Sequence, residues 1–186
     1  ASPRVALKAQ IAKANKLGMY MKSGVECEYF LVNSDGTALS DPKDTQEKPC
    51  YDSSALMRRY DVITEICDSM ITLGWKPYQN DHEDANGQFE MNWDFSDCLQ
   101  TADRHAFFKF MTKTIAEKHG LRATFMPKPF TNLTGRRQHL QLLQHLRQHQ
   151  RELLLRHQRL LPGWLTWTLG VWKSSTWCVA RVFSAR

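Results

Sequence analysis

Four carboxylates occupy positions where apolar side chains would be expected. Glu26 and Glu28 interrupt the run Gly24-Val25-Glu26-Cys27-Glu28-Tyr29-Phe30-Leu31-Val32, and Glu83 and Glu90 flank Asn86-Gly87 in the run from His82 to Glu90. An acid set into a hydrophobic strand is costly unless something pairs it. A divalent cation is the simplest partner for four such groups, and an all-oxygen donor set favours Mg²⁺ or Mn²⁺. The chain has no Cys-x-x-Cys and no His-Glu-x-x-His, so zinc has little support.

The elements that would position these groups can be read from their neighbours. Gly24 to Val32 is rich in strand formers and ends at the turn Ser34-Asp35-Gly36, which predicts a strand. Alternation puts Glu26 and Glu28 on one face, about 6.6 Å apart along the strand. That spacing suits two neighbouring cations, or one cation and a substrate group. Asn-Gly is the favoured two-residue hairpin turn. With the turn at 86–87, Glu83 opposes Glu90, their Cβ atoms about 4.5–5.5 Å apart. Like charges placed opposite each other destabilise a sheet, which argues for function as the reason for their placement. Each pair alone has an ordinary explanation in a solvated sheet face or a surface hairpin. Together, with His82 beside Glu83, they point to metal.

Around these strands the chain is well punctuated. Ser2-Pro3 caps a helix running to about Leu17, with Gly18 as its stop. Asp52 or Ser53 opens a second helix with Leu56, Tyr60, Ile63, Ile66, Cys67, Met70 and Leu73 near one face, closed by Gly74. A third helix is expected from Cys98 to His119, before Gly120, and a strand from Leu121 to Met126. Its basic residues, Arg104, Lys109, Lys113 and Lys118, read as a solvated face behind Phe107, Phe108, Phe110, Met111 and Ile115, and His105 as a packing residue. The fold class this predicts is α+β, an antiparallel sheet with packed helices.

Three segments in order resemble the consecutive signatures of the glutamine synthetase catalytic domain. They are Gly24 to Phe30, then His82-Glu83 with Gly87-Gln88-Phe89-Glu90, then Ala123-Thr124-Phe125-Met126-Pro127-Lys128-Pro129. The stretches Asp44 to Tyr51 and Arg104 to Phe110 resemble the branch that includes γ-glutamylmethylamide synthetases. The resemblance runs from about residue 3 to Gly135 and implies a partial catalytic domain over residues 1–135.

The activity it implies is ATP-dependent ligation of glutamate with ammonia or a small amine through a γ-glutamyl phosphate, with two divalent cations, Mg²⁺ or Mn²⁺. By motif, Glu28, Glu83 and Glu90 would hold the cation that orients glutamate, and Glu26 the second, on the nucleotide phosphates. Phosphoryl transfer rests on positioning and charge neutralisation, and bare carboxylates would repel both anionic substrates. Tyr51 lies near a position that faces substrate in the family. The family continues through Gly-x-Gly-x-His-x-His where this chain reads Gly135-Arg136-Arg137-Gln138-His139-Leu140-Gln141. Gly135 and His139 keep the pattern, as a substrate contact and a second-cation ligand, while Arg137 and Gln141 break it. Histidines recur at 145, 149 and 157, so coincidence explains His139 equally well. Later phosphate-gripping arginines and a further metal-binding glutamate have no counterpart. The family's active sites lie between subunits of a homo-oligomeric ring, so an incomplete copy is expected not to catalyse alone.

Residues 136–186 differ in character. The chain's net charge is +6, but these residues hold nine Lys or Arg and one acid, Glu152, leaving residues 1–135 mildly acidic. The basic balance therefore belongs to the tail and does not mark the body as a nucleic-acid binder. Gln, His, Leu and Arg dominate from Gln138 to Leu161, followed by Pro162-Gly163 and Trp164, Trp167, Trp172 and Trp177. A basic helix with leucines at 142, 143, 146, 153 and 154 would be expected if the segment folds. The favoured expectation is a poorly ordered tail of the kind a shifted reading frame or misread exon boundary after Gly135 would give. Two rival readings follow: a non-catalytic truncated product, or a binder of nucleic acid or anionic membrane through the tail. Five irregularly spaced cysteines and the lack of an apolar leader in residues 1–20 predict free thiols and a cytoplasmic location. No run reaches the roughly 18 apolar residues of a membrane span.

Overall fold

The structure, a computed structural model, describes residues 2–135 and, as backbone only, strand residues 139–146, 169–170 and 177–182. It divides into two compact units. One comprises Val25–Asp94 with Arg104–Gln138, the other Ala1–Gly24 with Phe95–Asp103 and His139–Arg186. The long strand β1 (Met19–Asn33) and the helix α4 (Cys98–Lys118) run through both.

The first unit is an antiparallel sheet with helices, as the sequence predicts. β1 pairs with β3 (Gln88–Trp93) from Glu26↔Asn92 to Phe30↔Gln88. It pairs with β5 (Leu121–Thr124) from Phe30↔Thr124 to Asn33↔Leu121. β2 (Pro77–His82) forms the outer neighbour of β3. Odd-numbered β1 residues, Val25, Cys27, Tyr29 and Leu31, join a core with Val62, Ile63, Ile66 and Met70 of α3 (Tyr60–Thr72) and Phe108, Met111 and Ile115 of α4. Tyr29 is fully buried with Phe89, Phe108 and Phe125 rings at 6.1, 6.0 and 6.1 Å. Burying each such side chain contributes about 1.5–3 kcal/mol. Even-numbered Phe30 and Val32 pack separately with Ala85, and with Phe130 and Leu133. The face that carries Glu26 and Glu28 is thus distinct from the face that builds the main core.

Two helical expectations are refined. The single helix expected from residue 52 or 53 to Leu73 is broken into α2 (Ser53–Met57), capped by Asp52 on the Ser54 N–H, and α3, because Arg59 leaves helical geometry (φ −122°, ψ 19°). The break lets Arg58 bond Asp41 at 2.5 Å and Arg59 bond Ser40 at 3.0 Å, contacts that helix propensity does not encode. Tyr60 and Leu73, expected on the buried face, are 54% and 46% exposed. On α4, Phe108, Met111 and Ile115 are buried, while Phe107 and Phe110 stay 46% and 65% exposed. His105 packs against Cys27, Nδ1 to Sγ 3.6 Å.

In the second unit, α1 (Pro3–Lys16) is tied to α4 by a two-pronged Arg4–Asp103 pair at 2.8 and 3.0 Å. β4 (Ser96–Asp97) pairs with the start of β1 through Lys22↔Asp97 and Ser23↔Ser96, and Thr101 Oγ1 donates to the Ser23 carbonyl at 2.7 Å. The backbone of residues 139–146 is β6, a strand and not the helix anticipated there. It runs antiparallel to β8 (Trp177–Val182), which also pairs with β7 (Leu169–Gly170). His139-Leu140-Gln141-Leu142 has the two-residue alternation that suits a strand, which the Leu142-Leu143 pair then interrupts. The rest of the expected disordered tail lies outside the described residues. Among those residues no helix is long and apolar enough to cross a membrane.

Candidate metal centre

Three of the four carboxylates converge. Glu28, Glu83 and Glu90 each offer an oxygen, all within 4.8 Å of one another. Glu28 and Glu90 are direct cross-strand partners on β1 and β3, 3% and 8% exposed. Glu26 shares their face one pair further along, opposite Asn92, and stands outside the trio. Together with burial, Glu26 and Glu90 push the Tyr78 phenol up, which places both charges near that hydroxyl.

Glu83 reaches the cluster by a route the sequence did not suggest. The expected Glu83–Glu90 pairing across a two-residue turn is not formed. β2 and β3 pair as Asp81↔Glu90 and His82↔Phe89, two residues out of the expected register. The turn itself closes over Asn86-Gly87 as expected, with the Gln88 N–H donating to the Ala85 carbonyl at 3.0 Å, but the strands outside it pair in the shifted register. Only Gly87 has positive φ there (69°), whereas a two-residue Asn-Gly hairpin needs it at both positions. Glu83 therefore sits in the loop, its N–H bonded to the Gln88 carbonyl at 2.9 Å, and folds its side chain back over β3 and β1.

The electrostatics are strained. Burial, then the charges of Glu90 and Glu28, push the Glu83 carboxyl from its ordinary 4.5 up to about 8. Two amides steady the other members: Gln88 Nε2 donates to Glu28 Oε2 at 2.6 Å, and Asn92 Nδ2 to Glu90 Oε1 at 2.7 Å. The buried Oδ1 of Asn92 has no hydrogen-bond partner. The donor set is an all-carboxylate trio, with Glu28 and Glu90 buried and Glu83 half-buried, and the Glu83 carboxyl is pushed up to about 8. That is the chemistry of a site for a hard divalent ion.

Two further groups border the trio. His82 and Asp44 form a buried pair, Nε2 to Oδ2 2.7 Å, with side chains 0% and 1% exposed. Burial alone would lower the His82 pKa and raise that of Asp44, but their mutual hydrogen bond and charge hold His82 above and Asp44 below the ordinary range. Tyr51 adopts a left-handed backbone (φ 63°), donates its N–H to the His82 carbonyl at 2.8 Å and is 67% exposed. Gly135 lies against the Pro127 carbonyl and the Lys128 side chain, where an added Cβ would come 3.1 Å from that carbonyl oxygen. The side chain of His139, at the start of β6, lies outside the described residues.

The sequence reading missed Asp44, Gln88 and Asn92. The first and second fall within stretches that carry the family resemblance, yet nothing in their spacing reveals a side chain contact 43 residues away.

The sequence profile of the glutamine synthetase catalytic domain matches residues 1–157. The chain belongs to the glutamine synthetase catalytic domain family. The match to this family extends past Gly135, beyond the segment carrying the quoted motifs. A glutamine synthetase of Rhizobium leguminosarum bv. phaseoli is 69% identical over 134 residues, covering 72% of this chain and 31% of that protein. A glutamate–methylamine ligase of Methyloversatilis universalis is 41% identical over 141 residues, covering 75% of this chain and 32% of that one. A solved structure of GmaS in complex with ADP is 68% identical, with a TM-score of 0.76, covering 77% of this chain and 33% of that one. The chain thus spans about a third of the length of these relatives.

Proposed function

We propose that Glu28, Glu83 and Glu90 hold one Mg²⁺ or Mn²⁺ in a site for ATP-dependent ligation of glutamate to ammonia or a small amine through a γ-glutamyl phosphate. The observation that carries this is the convergence of three carboxylate oxygens within 4.8 Å, one of them on an acid pushed up to about 8. When bound, the cation supplies positive charge that offsets the carboxylates and the anionic oxygens of glutamate and phosphate. The chain's own residues then have separable tasks. Glu28 and Glu90, fixed by Gln88 and Asn92, present their oxygens from the sheet, and Glu83 closes the set from the loop. Glu26, outside the trio, is assigned to the second cation, together with His139, and Gly135 to substrate contact. In this reading residues 1–135 form the partial catalytic domain and 136–186 a tail, and the complete protein is a cytoplasmic homo-oligomeric ring.

Relatives are named glutamine synthetase and glutamate–methylamine ligase, and either kind of acceptor fits the reading. The rival readings through nucleic acid or membrane rest on side chains outside the described residues, and no observation favours them. Calorimetric titration of Mn²⁺ tests the site. Glu83→Ala is expected to bind at least tenfold more weakly than wild type, and equal binding by the two overturns the assignment. ATP-dependent γ-glutamyl hydroxamate formation by this chain alone is expected to be absent.

A further inference from the structure

We propose that Asp44 and His82 are positioning residues that set the Glu83 loop for the cation; this rests on the metal reading above. Asp44 is not adjacent to any ligand in sequence, yet its buried carboxylate organises the whole turn. Its Oδ2 accepts from His82 Nε2 at 2.7 Å and from the Gly87 N–H at 2.6 Å, and its Oδ1 accepts from Asn86 Nδ2 at 2.9 Å. The other face of His82 completes the link, Nδ1 donating to the Glu83 carbonyl at 2.9 Å. With the Glu83 N–H already held by Gln88, both backbone polar groups of the ligand residue are fixed, one of them through Asp44.

The same turn orients a second ligand. Gln88 Oε1 accepts the Ala85 N–H at 3.0 Å while its Nε2 donates to Glu28 at 2.6 Å. The turn that Asp44 holds therefore determines where two of the three carboxylates stand. Asp44 is anchored in turn. Its N–H donates to the Asp41 carbonyl at 3.2 Å, Asp41 pairs with Arg58 at 2.5 Å, and Arg58 also reaches the Lys43 carbonyl at 3.3 Å. The break between α2 and α3 thus acquires a purpose, because it brings Arg58 to this loop. An apolar contact could hold the loop closed, but only directional bonds fix the orientation of a backbone whose side chain must meet a metal. Groups that orient metal ligands in this way typically change affinity 10–100-fold when removed.

The test uses the full chain, Mn²⁺ calorimetry, and amide hydrogen exchange without metal. Asp44→Asn and His82→Gln are the variants, with Ile63→Val as a core control. His82→Gln keeps an amide donor for Asp44 but removes the one to the Glu83 carbonyl, so it isolates the link if Asp44→Asn folds poorly. Both are expected to weaken Mn²⁺ binding by about 10-fold or more and to speed exchange at 83–88, while Ile63→Val leaves affinity unchanged. Wild-type Mn²⁺ affinity in a folded His82→Gln protein overturns the proposal. So does an equal loss of affinity in Ile63→Val, which would reduce the effect to general destabilisation. Failure of the wild type to bind Mn²⁺ would bring down the metal reading. Exchange at 83–88 would then still judge the clamp, and unchanged protection in both variants would refute it.

Discussion

Without metal, the protein should become less stable as pH rises from 5 to 9, and Glu83 should be the reason. Its carboxyl is pushed from 4.5 to about 8 in the folded state by burial and by Glu90 and Glu28. The folded protein therefore binds more protons than the unfolded chain between these values, so stability is full below about 4.5 and is lost as pH climbs through about 8. At about 1.36 kcal/mol per pKa unit, the whole effect is on the order of 5 kcal/mol at most, and the partial exposure of Glu83 reduces it to roughly 2–4 kcal/mol. Urea denaturation followed by the fluorescence of buried Trp75 and Trp93 measures it directly. Glu83→Gln should match wild type near pH 5 and exceed it at pH 9, keeping only the pH dependence that the His82–Asp44 pair contributes. Metal binding draws on the same proton. At pH 7 a group titrating near 8 is about nine-tenths protonated, so Mn²⁺ should displace about 0.9 proton, falling to about 0.1 at pH 9. Calorimetry in two buffers of different ionisation enthalpy reads that number. Identical stability–pH profiles for wild type and Glu83→Gln, with no proton release at pH 7, would refute the reasoning.

Glu26→Gln should leave Mn²⁺ affinity at the first site within about threefold, where Glu83→Ala loses at least tenfold, as titrations of the two variants side by side would show. The stability cost of Asp44→Asn should be greatest near pH 5. The His82 contribution is complete below about 6.5 and disappears as pH rises through its raised pKa, and the Asp44 contribution is complete above about 3.8 and disappears as pH falls through its depressed one. Denaturation at pH 3, 5 and 9 would show the maximum. Gly87→Ala should cost about 1–3 kcal/mol, because Gly87 has φ +69° and an added Cβ would lie 2.9 Å from Leu39 Cδ2 and 3.3 Å from the Leu31 carbonyl. Phe108→Ala should cost about 3–5 kcal/mol in the same urea assay, as a fully buried ring touching Tyr29, Trp93 and Phe125.

What the sequence reveals here is whatever depends on neighbours along the chain. The alternation around Glu26 and Glu28 gives their shared face, because a strand's period is two whatever it packs against. α4 is legible from Cys98 to Lys118 for a similar reason, with Gly120 marking its end at φ 68°. The hairpin is where local reasoning failed. Asn86-Gly87 carries the strongest short-range turn signal, but Asp44 takes the Gly87 N–H and the Asn86 amide, and those bonds select a longer loop. The helix break at Arg58-Arg59 was hidden for the same reason: its partners, Asp41 and Ser40, lie 17 and 19 residues away. Glu83 thus joins Glu28 and Glu90 through loop closure, not the cross-strand opposition that the residue spacing suggested.

β1 presents Val25, Cys27, Tyr29 and Leu31 to the main core, while Glu28 joins the carboxylate trio and Phe30 and Val32 pack in a separate apolar cluster. Inserting or deleting a single residue upstream of Glu26 within this strand would exchange the two sets, sending acids inward and aromatics outward. Lineages carrying this segment should therefore tolerate substitutions along it far more readily than changes in its length. Length changes should accumulate in connections such as Ser34 to Thr37, where the chain returns through a solvent-facing turn.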